Sequence, residues 1–494
     1  MGNVHRRTFL QGAVATMGGV VVGGSLQTLL AEAAAAKPPT GPLGPVPDAR
    51  DGIVRLWLPP GFSYQSFHDT DGPPVVLPDG TTLPGRHDGM AAFAGPDGNV
   101  WLVRNHEING PGAAFGPSSP GPDDAPYDAM AQGGTTTSLV SPSGEVSDAF
   151  TSLNGTQMNC SGGRMPWGSW ISCEETVNGP DVGADFTGVS NVPLQQRHGF
   201  IFEVPAGGKS ERQPVTSAGR FAHEAAAYSP DEGFVYLTED NFGFPSGLYR
   251  YIPPSNPMSA GGLENGGALQ MLRVVDMPNA HLEATQTNGA AYPVDWVDID
   301  DPDPTFPYTP GEPAPTTNND AIKFVGDQGR AQGAAHFSRL EGAVFAKGEI
   351  FFTSTQGGGA AETGPDTVGG YGNGAGQIWS YNPRIQVLTC RYQSLSTTNL
   401  ELPDNVTARN NRGSIVICED GPGDNYIRGL TADATLFDIA LNRLRRNAPP
   451  NAPRFGEEFA GATFSPDGHT LFVNIQASQA ITFAVWGPWG RLGV

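Results

Sequence analysis

Six times along the chain a short apolar segment runs out into acids, amides or hydroxyls: Val100–Glu107, Ser169–Glu175, Phe234–Asp240, Ile350–Gln356, Ile415–Asp420 and Leu471–Gln476. Each follows a Gly- or Pro-containing turn and an earlier run of small residues. Four of those earlier runs begin on a potential ligand: Cys160 in NCSGG, Glu224 in HEAAAYS, Glu341 in RLEGAVF and Glu458 in EEFAGATF. Asp404 in LPDNV and Asp88 in HDGMAAF take the equivalent places. Carboxylate oxygens suit hard cations, since calcium takes six to eight oxygens and ferric iron also prefers anionic oxygen. Zinc would call for closely spaced His and Cys, and the chain has neither CxxC nor HExxH. The nine histidines do not cluster; His106 and His223 lie beside ligand positions and read as structural neighbours.

Alternating small and apolar runs of this length are strands, and two of them joined by a tight turn form an antiparallel hairpin. In such a hairpin the start of the first strand and the end of the second share one edge. From Glu224 to Glu239 is 15 residues, and from Asp404 to Glu419 is also 15. Six hairpins with ligands at one edge predict a radial assembly with a carboxylate-lined mouth. The expected fold is all-β, a six-bladed β-propeller with loop insertions and few short peripheral helices, as a single domain over 45–494. The long interval between Asp240 and Gln356 marks an insertion at about 253–337, whose acids Asp298–Asp303 suit a solvated loop, a lid or a calcium loop. Ala432–Arg446 is the best candidate for a helix.

Gly 67 and Pro 45 supply many turns, while 38% hydrophobic residues are enough for a core. A net charge of −22 repels phosphate backbones and argues against a nucleic-acid partner. At the N-terminus, Arg6-Arg7 precede a mildly apolar Gly/Ala/Val stretch that ends in Ala-Glu-Ala, the pattern of a twin-arginine export signal over residues 1–36. No later stretch is long and apolar enough to span a membrane, so a secreted, periplasmic or cell-surface protein is expected, with the twin-arginine machinery as its export partner. Cys160, Cys173, Cys390 and Cys418 allow two disulfides in that setting, with three connectivities open. Cys160 stands apart because it occupies a ligand position, where a thiolate ligand competes with a disulfide.

The motifs RNHE, GGTTT, NCSGG with PWGSWISCEE, GRFAHEA, YLTED, SRLEGA, ELPDNV, ICEDG and EFAGATFSPDGHTLFVNIQ together resemble the PhoX-type alkaline phosphatase family, over about residues 45–490. The resemblance implies hydrolysis of phosphate monoesters at an iron (Fe3+) and calcium (Ca2+) cluster in the propeller mouth, by a protein expected to be a monomer. It places Cys160, Glu224, Glu239 and Glu341 at or beside iron. It places Asn105, Glu107, Glu174, Glu175, Asp240, Asp404, Glu419 and Asp420 near calcium, leaving open which acid of each adjacent pair coordinates. Arg339 matches a position that grips phosphate, with Glu341 and Cys160 completing the catalytic set. Asn159 and Thr135–Thr137 are further expected pocket residues.

Independently of the resemblance, phosphate-ester hydrolysis gains most from charge neutralisation and positioning, which clustered cations and a planar guanidinium supply. No GxSxG elbow offers a protein nucleophile. Arg339 could instead serve only as a salt-bridge partner of nearby acids. Two other classes compete: a single-calcium propeller hydrolase (a lactonase or organophosphate hydrolase) and a non-catalytic propeller stabilised by calcium.

Overall fold

The computed structural model describes residues 41–494 apart from 120, 122–123 and 410–412, so the leader read at residues 1–36 lies outside the described residues. Twenty-six strands dominate, with three short α-helices at Asn318–Ile322, Phe324–Ala331 and Trp489–Leu492 among the described residues. The strands form five hydrogen-bonded sheets of four, three, nine, six and four strands in a propeller-like arrangement. The nine-stranded sheet departs from the expected separate blades. Ala291–Asp298 pairs with Val387–Gln393, which fuses two antiparallel arrays into one sheet.

Six first strands, His87–Ala94, Asn159–Arg164, His223–Ser229, Leu340–Ala346, Pro403–Ala408 and Phe459–Phe464, stand side by side around the middle, and the last packs against the first. Each pairs with the strand that follows it in sequence, and each pairing contains a register shift within the first strand. The ring is closed by the N-terminal part of the chain. Ser63–Phe67 pairs with Ile481–Trp486, and Val54–Leu58 pairs with Leu436–Asn442.

The core lies between neighbouring sheets. One apolar cluster holds Val416 and Cys418 against Phe459 and Val473, and another holds Ile171 and Cys173 against Val235 and Leu237. Strands are therefore buried on both faces, which removes the simple apolar–polar alternation of a half-exposed sheet. That explains one correction. The expected helix over Ala432–Arg446 is instead the strand Leu436–Asn442, reached through a turn at Thr431–Thr435 and paired with Tyr426–Leu430. A short apolar run buried on both faces reads as either element from sequence alone.

The insertion is also more ordered than a solvated loop. It contains the strands Ala268–Val274 and Ala291–Asp298 and two of the helices. Of its acids, Asp303 pairs with Arg197 at 2.5 Å and Asp298 accepts from Gln270 at 2.7 Å. All four cysteines are buried and free, so neither of the two disulfides they would allow is present. No helix among the described residues is long and apolar enough to cross a membrane.

Candidate metal and phosphate site

A cavity of about 800 Å³ opens at the edge where the six first strands begin. Asp88, Cys160, Glu224, Glu341 and Asp404 reach it from the first strands. Glu107, Glu175, Asp240 and Asp420 reach it from just beyond the second strands, joined by Arg86, Arg339, Glu458 and Gln476. Ten carboxylates thus line one cavity beside two guanidinium groups, counting Asp185 at the rim.

The register shifts aim the first set. In the first strands pairing passes from His87 to Met90, Asn159 to Gly162, His223 to Ala226, Leu340 to Ala343 and Pro403 to Val406. The ligand candidate is the first unpaired residue each time. A bulge of this kind turns a side chain out of the regular ladder. In four of the five the next residue is small (Gly89, Ser161, Ala225 and Gly342) because adjacent strands nearly touch: a Cβ on Gly342 would lie 2.6 Å from the Val406 nitrogen. Arg86, Met158, Arg339 and Leu402, each two residues ahead of a ligand candidate, have φ of 47°, 42°, 40° and 45°. Such left-handed backbone is uncommon outside glycine and marks an over-determined position.

Six equivalent hydrogen bonds fix the correspondence between repeats. The N–H groups of Glu107, Glu175, Asp240, Thr355, Asp420 and Gln476 donate to the carbonyls of Arg86, Met158, Ala222, Arg339, Leu402 and Glu458, at 2.9 to 3.2 Å. Two sequence assignments shift as a result. Glu458 is the counterpart of Arg339, not of Glu341, and Ala460 occupies the ligand place in its repeat. Thr355, not Gln356, closes the fourth repeat.

The same bonds separate the adjacent acids. Glu175, Asp240 and Asp420 line the cavity, whereas Glu174, Glu239 and Glu419 point back into the wall. Glu174 accepts from the backbone N–H groups of Gln157, Gly199 and Phe200 and lies 2.6 Å from His198. Glu239 accepts from Gly247 N–H and the Tyr249 hydroxyl, both at 2.9 Å. Glu419 accepts from Glu401 and Tyr426 N–H and from Arg428 Nε.

Asn105 does not line the cavity either. Its amide donates to the carbonyl of Cys160 at 2.9 Å. Thr238, Thr353 and Asn474, at the matching places, donate to the carbonyls of Glu341, Asp404 and Asp88 at 2.6 to 2.7 Å. In four of the six repeats, then, the side chain two residues before the mouth-side acid or its counterpart pins the next repeat's ligand strand. Cys173 and Cys418 hold this place in the other two repeats, buried as small apolar side chains. The series Asn, Cys, Thr, Thr, Cys, Asn was the available signal, and sequence reasoning missed it.

Other expected residues are also structural. Asn159 bonds Thr156 and Ser172, and Thr135 and Thr136 bond Ser152 and Arg104. Thr137 is buried in the same strand, and none of these lines the cavity. His106 bonds Gly85 and Thr136, and His223 bonds Gly219 and stacks on Phe221. Arg86 was not anticipated; it pairs with Glu107 at 2.8 Å, as Arg339 pairs with Asp240 and Glu341 at 2.5 and 3.1 Å.

The electrostatics follow from burial. Loss of water pushes the carboxyls of Asp88, Glu175, Glu224, Glu341 and Glu458 well above the usual range, with neighbouring carboxylates adding to the effect. Burial and Asp420 push Asp404 up to about 8. Burial and Glu224 raise the Cys160 thiol. For Arg339 burial acts downward, but Asp240 and Glu341 outweigh it and hold the guanidinium charged. Single ligand atoms of Cys160, Glu175 and Glu224 lie within 4.8 Å of one another, as do those of Glu224, Glu341 and Asp404. Glu224 belongs to both groups.

A family profile for alkaline phosphatase PhoX matches residues 41–151 and 144–479. Among solved structures, Pseudomonas fluorescens PhoX in complex with vanadate, a transition state analogue, is similar with a TM-score of 0.58. That likeness is at 16% identity and covers 91% of this chain and 98% of the other, so it is one of fold. A gluconolactonase of Xanthomonas campestris is a more remote neighbour, at a TM-score of 0.35 and 11% identity over 90% of this chain and 99% of that one. No curated protein matches by sequence. Since the profile spans most of its length, the chain belongs to the PhoX alkaline phosphatase family and is a phosphoric monoester hydrolase.

Proposed function

We propose that the protein hydrolyses phosphate monoesters outside the cytoplasm, at a cluster of iron and calcium ions seated in the carboxylate-lined mouth of a six-bladed propeller. The observation that carries this reading is Glu224. Its side chain is buried, its Oε2 has no hydrogen-bond partner, and it belongs to both close ligand groups. A buried carboxylate oxygen without a partner is costly, and a cation shared between the two groups would satisfy it. Six equivalent hydrogen-bonded repeats support the blade count, with the fused nine-stranded sheet counted as two blades.

The donor set fits both metals. Cys160, Glu224 and Glu341 offer one thiolate among carboxylates, which suits iron. Asp88, Glu107, Glu175, Asp240, Asp404 and Asp420 offer the oxygen-rich environment calcium needs. Glu239 is set apart from the iron set because it does not line the cavity and its Oε2 already serves Gly247 and Tyr249. When bound, the cations would neutralise phosphate oxygens and the developing charge on the leaving alkoxide.

The chain's own part is orientation. Asp240 holds Arg339 through Nε and Nη2 while the Phe242 ring lies 5.4 Å from the guanidinium carbon. A guanidinium held in that plane faces the cavity ready to donate to phosphate oxygens. Arg86 flanks the same cavity from another repeat, with its side chain 43% exposed. The leader at residues 1–36 would be removed on export, leaving one propeller body that functions as a monomer.

Elemental analysis of protein purified without chelator tests the metal assignment. Iron with more than one calcium per chain is expected, and chelation should abolish monoester hydrolysis and lower thermal stability together. Full activity without metal, or zinc alone, would refute it. Vanadate should inhibit, and Arg339→Ala should weaken turnover and vanadate inhibition with the metal content intact.

A further inference from the structure

Above the charged floor the cavity changes character. Three separate segments bring apolar side chains to its rim: Phe186, Phe242 with Phe244, and Ile322 in the Asn318–Ile322 helix. Phe186 is 84% exposed and Phe242 47% exposed, so protein packing does not account for their position. Exposed aromatic surface gathered at the opening of a site is a common mark of ligand contact. Phe242 also lies against the guanidinium face of Arg339, which joins this rim directly to the phosphate-facing arginine.

We propose that this rim is a leaving-group subsite that selects phosphate monoesters of flat apolar alcohols, aromatic ones above all. The inference rests on the phosphatase reading of the floor. An ester whose phosphate sits among the cations and Arg339 must extend its organic group toward the opening. There it meets Phe186, Phe242 and Phe244. Charge at the opening is mixed, since Asp185 stands next to Phe186 while Arg86 lines the same cavity and the Lys323 ammonium lies 6.0 Å from the Phe244 ring, so the aromatic surface rather than charge makes the choice. A phosphate monoester with a neutral aromatic body therefore suits both layers. A sugar phosphate meets the same rings with hydroxyl groups. Contacts made by this remote part of the substrate can appear in kcat/KM.

The test compares 2-phenylethyl phosphate with ethyl phosphate, whose leaving alcohols are similar in basicity, on the full metal-loaded enzyme. The ratio of their kcat/KM values should favour the phenyl ester by roughly tenfold or more, in the range of a hydrophobic pocket's discrimination. Phe186→Ala should cut that ratio severalfold, and Phe186→Trp should preserve it. Because Phe186 is exposed, its replacement should fold, which thermal unfolding would confirm. Equal efficiency on the two esters, or a ratio unmoved by Phe186→Ala, would overturn the subsite alone. Hydrolysis of neither ester with cations supplied would overturn the phosphatase reading and the subsite with it.

Discussion

The cavity wall has two layers of acids only one residue apart in sequence, and they behave in opposite ways. Glu175, Asp240 and Asp420 face the mouth, whereas Glu174, Glu239 and Glu419 face the protein. The rear carboxylates all accept from N–H or O–H donors of their own and adjoining segments, with Glu239 Oε1 left without a partner. The front set, together with the bulge residues behind it, is crowded with like charge and short of donors. In the absence of cations Glu174 in the rear layer supports the fold, whereas the front layer opposes it. Function and stability are thus divided between neighbouring side chains, the trade-off expected where a site is built for a ligand.

The strongest test of this division removes a front charge. Glu224→Gln should cost metal content and turnover, the latter by at least about a hundredfold given what even outer-sphere changes cost metal sites. The cation-free variant should nevertheless unfold at a higher temperature than the cation-free parent, because a buried unpaired carboxylate is gone. A matching loss of apo stability would break the comparison.

Removing a rear charge should do the reverse. Glu174→Ala leaves three backbone N–H groups and the buried His198 without their acceptor, and should destabilise by about 3–5 kcal/mol. Elemental analysis of the folded fraction should still find the proposed iron and calcium.

The smallest effect per group is pH dependence. Burial pushes Glu239 and Glu419 up to about 7, above their unfolded values. Their native forms therefore hold protons that the unfolded chain releases, so stability falls as pH rises from about 4.5 through 7. His198 is driven down by burial but raised on balance to about 9 by Glu174 and Asp128, so its contribution is complete below about 6.5 and lost by 9. Both trends run the same way, at about 3 kcal/mol for a group shifted this far. Melting of chelated protein should fall steadily from pH 5 to 9, and added calcium should flatten the slope by taking the place of protons. A rise in stability over that interval would contradict the assignment.

The hairpin repeat, the shared edge and the mouth-side acids were legible because pairing geometry puts strand starts and ends together whatever the loops do. Which acid of each pair faces inward was not. Glu239 shares a strand face with Val235 and Leu237, but both faces of that strand are packed against neighbours, so alternation alone names no mouth side. Glu458 misled for another reason. Its repeat carries Ala460 at the ligand place, and the nearest acid lies two residues upstream. The left-handed backbone at Arg86 and Arg339 was also hidden, since arginine gives no conformational hint of the kind glycine does. The rim phenylalanines sit in loops outside the repeat, where periodicity has nothing to say.

The strand that completes the last sheet comes from the other end of the chain, Ser63–Phe67 against Ile481–Trp486. A ribosome must therefore deliver more than four hundred residues between the two partners before they can meet. Until then the earliest strands wait with unpaired edges, and the mouth has no complete circumference to hold ions. Final assembly is consequently governed by a contact of very large sequence separation, which predicts slow folding. Once shut, no sheet can peel away from a free end of the ring, so the finished protein should unfold slowly as well.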